Sequence, residues 1–139
     1  MISLGTYQPN AGVSAALVEA ESKVAQKVGI PYLPISDYFQ FGKSHLPEAL
    51  WLHEDQAHPG QDLILLEALL VCRELFQRLP VASSLTVKAT IYQPKSRFNN
   101  ERIVSIGVAT SDLATSHYYS FSSMARLLKV LQIYHSKHD

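Results

Sequence analysis

Residues 2–35, ISLGTYQPNAGVSAALVEAESKVAQKVGIPYLPI, decide the fold of the first half of the chain. Between residues 13 and 28, apolar side chains recur at three- and four-residue steps with charged side chains on the other face, which is typical of an amphipathic helix. Gly29 follows where a left-handed residue often ends a helix. The flanking runs 2–7 and 32–35 are short and bounded by proline, asparagine and glycine, so they predict strands. The stretch therefore predicts a βαβ unit with parallel strands.

The two predicted strands also indicate where chemistry should collect. In open parallel sheets, ligands bind outside the carboxyl ends of the strands. Those ends fall at Asn10 and Asp37 in this chain.

A long segment rich in polar residues separates this unit from a second helix. Residues 36–57 show no stable period and predict an irregular loop, of a length that is more often functional than not. After Pro59 and Gly60, leucines at helical spacing up to residue 79 predict a strongly apolar helix. Residues 1–79 are therefore expected to form a short parallel α/β sheet of βαβα order.

Residues 80–139 have a different character, and Pro80, Ser83 and Ser84 mark the boundary. Runs 85–92 and 103–109 alternate and predict an antiparallel hairpin, with a possible third strand at 117–121 and a helix after it. Residues 1–79 have five Lys or Arg against nine Asp or Glu, a net charge of −4, and residues 80–139 have seven against three, a net charge of +4. We expect a small basic α+β module of one hairpin and one helix.

Composition limits the class of protein. The chain has 139 residues, 47% of them hydrophobic and 17% charged, which predicts a packed globular protein. Its lone cysteine, Cys72, excludes an internal disulfide and fits a reducing compartment. No apolar run approaches the roughly 20 residues of a membrane span, and the N-terminus lacks the pattern of a signal peptide. We expect a cytoplasmic protein without a cofactor.

The segment 50–60, LWLHEDQAHPG, carries the strongest sign of chemistry. Asp55 stands three residues before His58, on a loop that leads directly into a helix. This spacing can place the carboxylate against one imidazole nitrogen and leave the other facing a cleft. Such a pair is the orienting acid and general base of a Ser-His-Asp hydrolase.

Residues 55–59, Asp-Gln-Ala-His-Pro, resemble the Asp-x-x-His-Pro block of SGNH (GDSL-type) esterases and lipases. The resemblance covers residues 1–79, because strand, helix, strand, loop, motif and final helix follow the order of that fold's second half. It implies a flavodoxin-like half-domain that acts on acyl or acetyl esters. It also implies that Asp55 orients His58 and that His58 is the general base.

The sequence departs from that family at the nucleophile. The family has a Gly-Asp-Ser block and a Gly-x-Asn-Asp block before the region matched here, and this chain contains neither. The resemblance therefore implies an incomplete site and a sheet entered partway through. Ser36 and Ser44 are the alternatives within the matched segment, although neither stands at a strand-to-helix elbow.

Trp51 and His53, directly before the motif, are the candidate substrate-binding residues, and packing on the core is the alternative for Trp51. Asp55 and His58 have an alternative too, in which they interact only with backbone or solvent. A metal site is not expected, since the step from His53 to His58 does not fit the His pair of a zincin helix. The residues of this metal alternative are His45, His53 and His58 with Glu48, Glu54 and Asp55.

Two classes of function remain open at this stage. The first is an SGNH-type ester hydrolase whose nucleophile is supplied from elsewhere. The second is a non-catalytic interaction protein that binds a protein or nucleic-acid partner through residues 80–139, although the scattered charges of that module favour a solvated face over nucleic-acid binding. An uncovered half-sheet predicts a homodimer or another protein partner.

Overall fold

A computed structural model describes residues 1–53, 56, 58–94 and 107–138. Within these residues the fold is mixed α/β, with four helices and two small sheets. The helices are α1 (Ala11–Val28), α2 (Ile35–His45), α3 (Gln61–Phe76) and α4 (Phe121–His138). The strands are β1 (Ser3–Leu4), β2 (Tyr32–Leu33), β3 (Leu85–Pro94) and β4 (Gly107–Tyr119). None of the described helices combines the length and apolar character needed to span a bilayer.

The predicted parallel βαβ unit is confirmed, but its strands are shorter than the predicted runs 2–7 and 32–35, and Asp37 lies in the first turn of α2 and not at a strand end. β1 pairs with β2 in parallel, with Ser3 opposite Tyr32. The connecting helix α1 begins after Asn10, whose side chain accepts hydrogen bonds from two backbone N–H groups of the first turn, as an N-cap does. It ends at Gly29, which has a φ of 74° and so adopts the left-handed conformation expected there.

Helix α1 leaves much of its apolar surface uncovered. Its buried residues are Ser14 and Ala25, whereas Val13 is 49% exposed and Val24 and Val28 are each 64% exposed. The apolar residues that reveal this helix in the sequence therefore do not mark the face that packs on the interior. They form a stripe on one flank of α1.

The irregular loop predicted for residues 36–57 is wrong in its first half, which forms helix α2. Ile35, Tyr38, Phe39 and Gly42 are buried and follow the i, i+3, i+4, i+7 spacing of a helical face. Because polar residues stand between these positions, the segment is predicted as a loop when only its overall composition is considered. A helix this short is only marginally stable by itself, so burial of its aromatic side chains is what stabilises it.

One hydrophobic core joins the two halves of the chain. Helix α4 packs against α2 and α3, and its leucines lie in the same core cluster as those of α3. Arg126 of α4 also forms an exposed ion pair of 2.6 Å with Glu48. The core contributions from α3 are Leu63, Leu65, Leu66, Leu69 and Leu70, and those from α4 are Met124, Leu127, Leu128 and Leu131.

The predicted antiparallel hairpin is present, but its second strand is longer than expected. β3 pairs with β4 from Leu85 opposite Tyr119 to Pro94 opposite Gly107. The predicted third strand at 117–121 is wrong, because residues 117–119 continue β4 without a turn residue to interrupt it. Residues 103–106 of the predicted second strand lie outside the described part of the chain. Ser120 caps α4, its Oγ accepting a hydrogen bond from the N–H of Ser123 at 3.1 Å.

Half-burial of Glu67 in α3 predicts a pH-dependent stability. Burial raises the pKa of this carboxyl above its ordinary value of 4.5. A raised pKa stabilises the fold below the ordinary value, and this stabilisation is lost as the pH rises through the folded-state value. We expect Glu67→Gln to raise the Tm at pH 7 by roughly 2 °C, a small shift because the carboxylate keeps part of its hydration. The gain should shrink toward pH 4.

Differential scanning calorimetry at both pH values checks this expectation. Glu19→Gln, at an exposed position of α1, is the control and should change the Tm less. A lower Tm for Glu67→Gln at pH 7 would contradict the expectation.

Candidate functional site

The segment that carries the Asp-x-x-His-Pro motif is a backbone hairpin closed by hydrogen bonds. The N–H of Gly60 donates to the carbonyl of Trp51 at 2.9 Å, and Leu52 forms an antiparallel bridge with Pro59. Closer to the tip, the N–H of His53 donates to the carbonyl of His58 at 2.9 Å. The motif is therefore held at both ends, in contrast to an irregular loop.

The first turn of α3 anchors this hairpin. The carboxylate of Asp62 accepts a hydrogen bond from the N–H of Leu50 at 2.7 Å, and the N–H of Asp62 donates to the carbonyl of Leu50 at 3.0 Å. Asp62 stands in the first helical turn, where the dipole favours a negative charge. The position of the hairpin is thus tied to the start of α3.

His58 and His53 are both exposed, at the two sides of the hairpin tip. A backbone hydrogen bond joins the two residues, so their imidazole side chains extend from adjacent positions of the hairpin. Asp55 lies outside the described residues, and its predicted pairing with His58 stays a prediction. The structure therefore places the predicted base and one predicted substrate-binding residue on the same accessible tip.

Trp51 takes the core position that the sequence left open as an alternative. Only 4% of its surface is exposed, and its indole N–H donates to the carbonyl of Leu46 at 2.7 Å. The ring meets Phe39 edge-on, with centroids 6.1 Å apart. It also covers Gly42, where an added Cβ would lie 2.5 Å from the indole. Trp51 therefore attaches the hairpin to the core and to α2.

The two serines considered as substitute nucleophiles have different surroundings. Ser36 is fully buried, and its Oγ lies 2.7 Å from the Oγ of Ser14. Ser44 is exposed, donates to the carbonyl of Phe41 at 2.8 Å and lies 2.9 Å from Nδ1 of His45. Because His45 Nδ1 is also 2.8 Å from that carbonyl, the Ser44–His45 contact belongs to the end of α2.

Sequence reasoning missed one polar contact at the carboxyl end of the parallel strands. The carboxylate of Glu21 accepts hydrogen bonds from the Tyr32 hydroxyl at 2.8 Å and from the N–H of Thr6 at 3.1 Å. Burial raises the pKa of Tyr32, and Glu21 raises it further through its hydrogen bond and its charge. The partners are distant in sequence, so no local pattern reveals them.

Among the described residues, no three His, Cys, Asp or Glu side chains come together as metal ligands would. His45, one of the histidines of the metal alternative, stacks on Phe41 with ring centroids 3.9 Å apart.

No family model, curated protein or solved structure matches this chain. The SGNH resemblance therefore depends on the motif and on the order of elements alone.

Gly60 is required for closure of the hairpin, which gives a direct test of how the motif is held. Its φ of −82° suits any residue, so the requirement is steric. An added Cβ would overlap the carbonyl oxygen of Leu50 and lie 2.8 Å from the carbonyl carbons of Leu50 and Leu52. Because these are backbone atoms, the overlap can be relieved only by shifting the chain. We therefore expect Gly60→Ala to lower the free energy of unfolding by about 1–3 kcal/mol.

Urea unfolding measures this loss, and amide exchange at His53 should accelerate at the same time. Gly12→Ala is the control, since the nearest atom to its added Cβ is the Asn10 carboxamide oxygen at 3.3 Å. Equal stabilities of the two variants would show that the hairpin tolerates a side chain at position 60.

Proposed function

We propose that the chain carries the acid and base of an SGNH-type ester hydrolase site, with Asp55 orienting His58. The observation that carries the proposal is the placement of His58. It is exposed, ends a hydrogen-bonded hairpin and directly precedes Pro59 and α3. A base needs a fixed backbone and an accessible imidazole, and this position offers both.

The order of elements supports the proposal. A parallel pair, β1 and β2, is joined by α1 and followed by the motif and a long helix, as in the second half of the flavodoxin-like SGNH fold. Helix α2 stands between the pair and the motif. The flavodoxin-like assignment of residues 1–79 is part of the same proposal.

In this mechanism, one imidazole nitrogen of His58 takes the proton of an attacking serine hydroxyl. Asp55 holds the other N–H and stabilises the imidazolium. His58 then gives the proton to the leaving alkoxide of a small acyl or acetyl ester. A water molecule, activated by the same base, releases the acid.

The sequence lacks a Gly-Asp-Ser block and Ser36 is buried, so the proposal takes the serine from another chain, with the exposed Ser44 as the alternative within this one. The exposed stripe of α1 supports an additional chain. Ser14 and Ala15 line a cavity together with residues of α2, so that flank of α1 faces α2. Val13 and Val24 are exposed and do not line this cavity, and a covering partner would bury them.

The tautomer of His58 tests the Asp55–His58 pair without any need for a nucleophile. Neutral imidazole in water prefers the proton on Nε2, whereas an oriented pair places it on Nδ1, facing the carboxylate. We expect long-range ¹H–¹⁵N NMR spectra at a pH where the ring is neutral to show Nδ1–H for His58. The Asp55→Ala variant should revert to Nε2–H.

His117, an exposed histidine on β4, is the internal control and should show the same tautomer in both proteins. Nε2–H at His58 in the unmodified chain would overturn the pair. Hydrolysis of p-nitrophenyl acetate then locates the nucleophile. A rate that falls in His58→Ala but not in His117→Ala would mean that the chain or its own copy supplies the serine. Equal rates, at the level of free imidazole, would mean that a different chain does.

A second candidate function, partner binding through residues 80–139, is favoured by the β3–β4 ribbon. Its described side chains at residues 85–88 and 116–118 are exposed, and the two strands pair mainly with each other. A two-stranded ribbon is marginally stable alone, so a protein partner that covers it would stabilise it.

Self-association through the α1 stripe has its own test, with a second copy as the expected partner. We expect sedimentation velocity to show a dimer at micromolar concentration. Val24→Glu places a charge on the stripe and should weaken the dimer at least tenfold, because an unpaired charge would be buried. Ser22→Glu, on the flank away from the stripe, should leave it unchanged. A monomer in both proteins would remove the dimer from the proposal.

A further inference from the structure

A cavity with a volume of about 440 Å³ opens between α1, α2 and α4. Ser14, Asp37, Gln40, Phe41 and Tyr134 contribute to its lining. It lies where α1 and α2 begin, beyond the carboxyl ends of β1 and β2. This is the place in an open parallel sheet where ligands collect, and its volume is within the range of small-molecule sites.

Hydrogen bonds hold the walls of this cavity in place. The Oγ atoms of Ser14 and Ser36 are 2.7 Å apart and buried, and they join α1 to α2 beneath the cavity. The Gln40 side-chain N–H₂ donates to the carbonyl of Gln8 at 2.6 Å and to that of Pro9 at 3.3 Å. Gln40 thereby fixes the segment that leads into α1. The cavity is formed before any ligand arrives.

Aromatic rings make up the wall on the α4 side. Tyr134 packs on Tyr38 with centroids 4.1 Å apart and meets Phe41 edge-on at 5.2 Å. Burial raises the pKa of Tyr134, and the charge of Asp37 raises it further. The Asp37 carboxylate therefore acts on the same wall that the rings form.

One side chain of the protein places a cation over Phe41, a residue of this wall. The Nζ of Lys137, three residues after Tyr134 on α4, lies over the ring of Phe41 at 5.2 Å from the centroid. An ammonium over an aromatic face is attracted by the negative face of the ring. A carboxylate beside two rings offers such a cation both a charged hydrogen-bond acceptor and apolar contact.

We propose that this cavity binds a small organic ammonium, with the charged group at Asp37 and an apolar body against Phe41 and Tyr134. The site is separate from the His58 hairpin and does not depend on the ester-hydrolase proposal. The exposed Lys137 ammonium lies over the ring of Phe41 and would repel a second cation at this wall. Removing it should therefore favour the ligand.

Phenethylammonium and 2-phenylethanol form the matched pair of probes, because they differ mainly in the charged group. We expect ligand-titration NMR on the full chain to give at least tenfold tighter binding for the ammonium, with shifts at the amides of Asp37, Gln40 and Phe41. Phenylacetate, which reverses the charge, should not bind. Equal affinity for the ammonium and the alcohol, or no binding of either, would overturn the proposal.

Three variants separate the ligand role of Asp37 from a helix-end role. Asp37→Asn should reduce ammonium affinity to that of the alcohol. Asp62→Asn removes the corresponding first-turn carboxylate of α3 and should leave the affinity unchanged. Lys137→Met should tighten ammonium binding severalfold. Unchanged affinity in a folded Asp37→Asn protein would overturn the proposal.

Discussion

Burial of Phe39 is the interaction on which the rest of this structure depends. Its ring is completely inaccessible and meets Tyr7 edge-on at 6.0 Å on one side and Trp51 at 6.1 Å on the other. Burying such a ring stabilises a fold by about 1.5–3 kcal/mol, and each aromatic pair adds about 0.5–1.5 kcal/mol. Phe39 therefore ties α2 to the segment after β1 and to the start of the hairpin. It is the one buried ring that contacts both of these segments directly among the aromatic pairs of the described residues.

The C-terminal helix completes this arrangement from the far end of the chain. α4 contributes Leu127 and Leu131 to the core that α3 begins, and Tyr134 stacks on Tyr38 of α2. The basic second half is thus part of the packing that supports both the hairpin and the cavity. The strands of its ribbon, β3 and β4, pair mainly with each other. Within residues 80–139, α4 therefore contributes to the stability of the core. The ribbon contributes little to that core and is the surface proposed above for partner binding.

Features set by local chemistry could be predicted from the sequence, and those set by distant contacts could not. Gly29, the existence of α3 and the parallel pairing follow from turn chemistry and periodicity, which act within a few residues, although α3 ends at Phe76 and not at the predicted residue 79. α2 was hidden because its aromatic positions become a buried face only when Trp51 and α4 cover them. The contact of Glu21 with Tyr32 and the placement of Trp51 in the core also depend on tertiary packing. Asp55 lies outside the described residues, so the central pair of the candidate site remains a sequence-based prediction.

The close seat of Trp51 on Gly42 has a consequence for the history of this sequence. The indole lies so near the helix that the sizes of residues 42 and 51 cannot vary independently. If a residue with a side chain replaces Gly42, a smaller residue has to replace Trp51 as well. Otherwise Trp51 can no longer pack on α2 and hold the hairpin there. Relatives of this chain should therefore show paired changes at these two positions, glycine with tryptophan or a larger residue with a smaller ring. Such covariation would show that the His58 hairpin still packs on α2 in relatives that no longer have the motif.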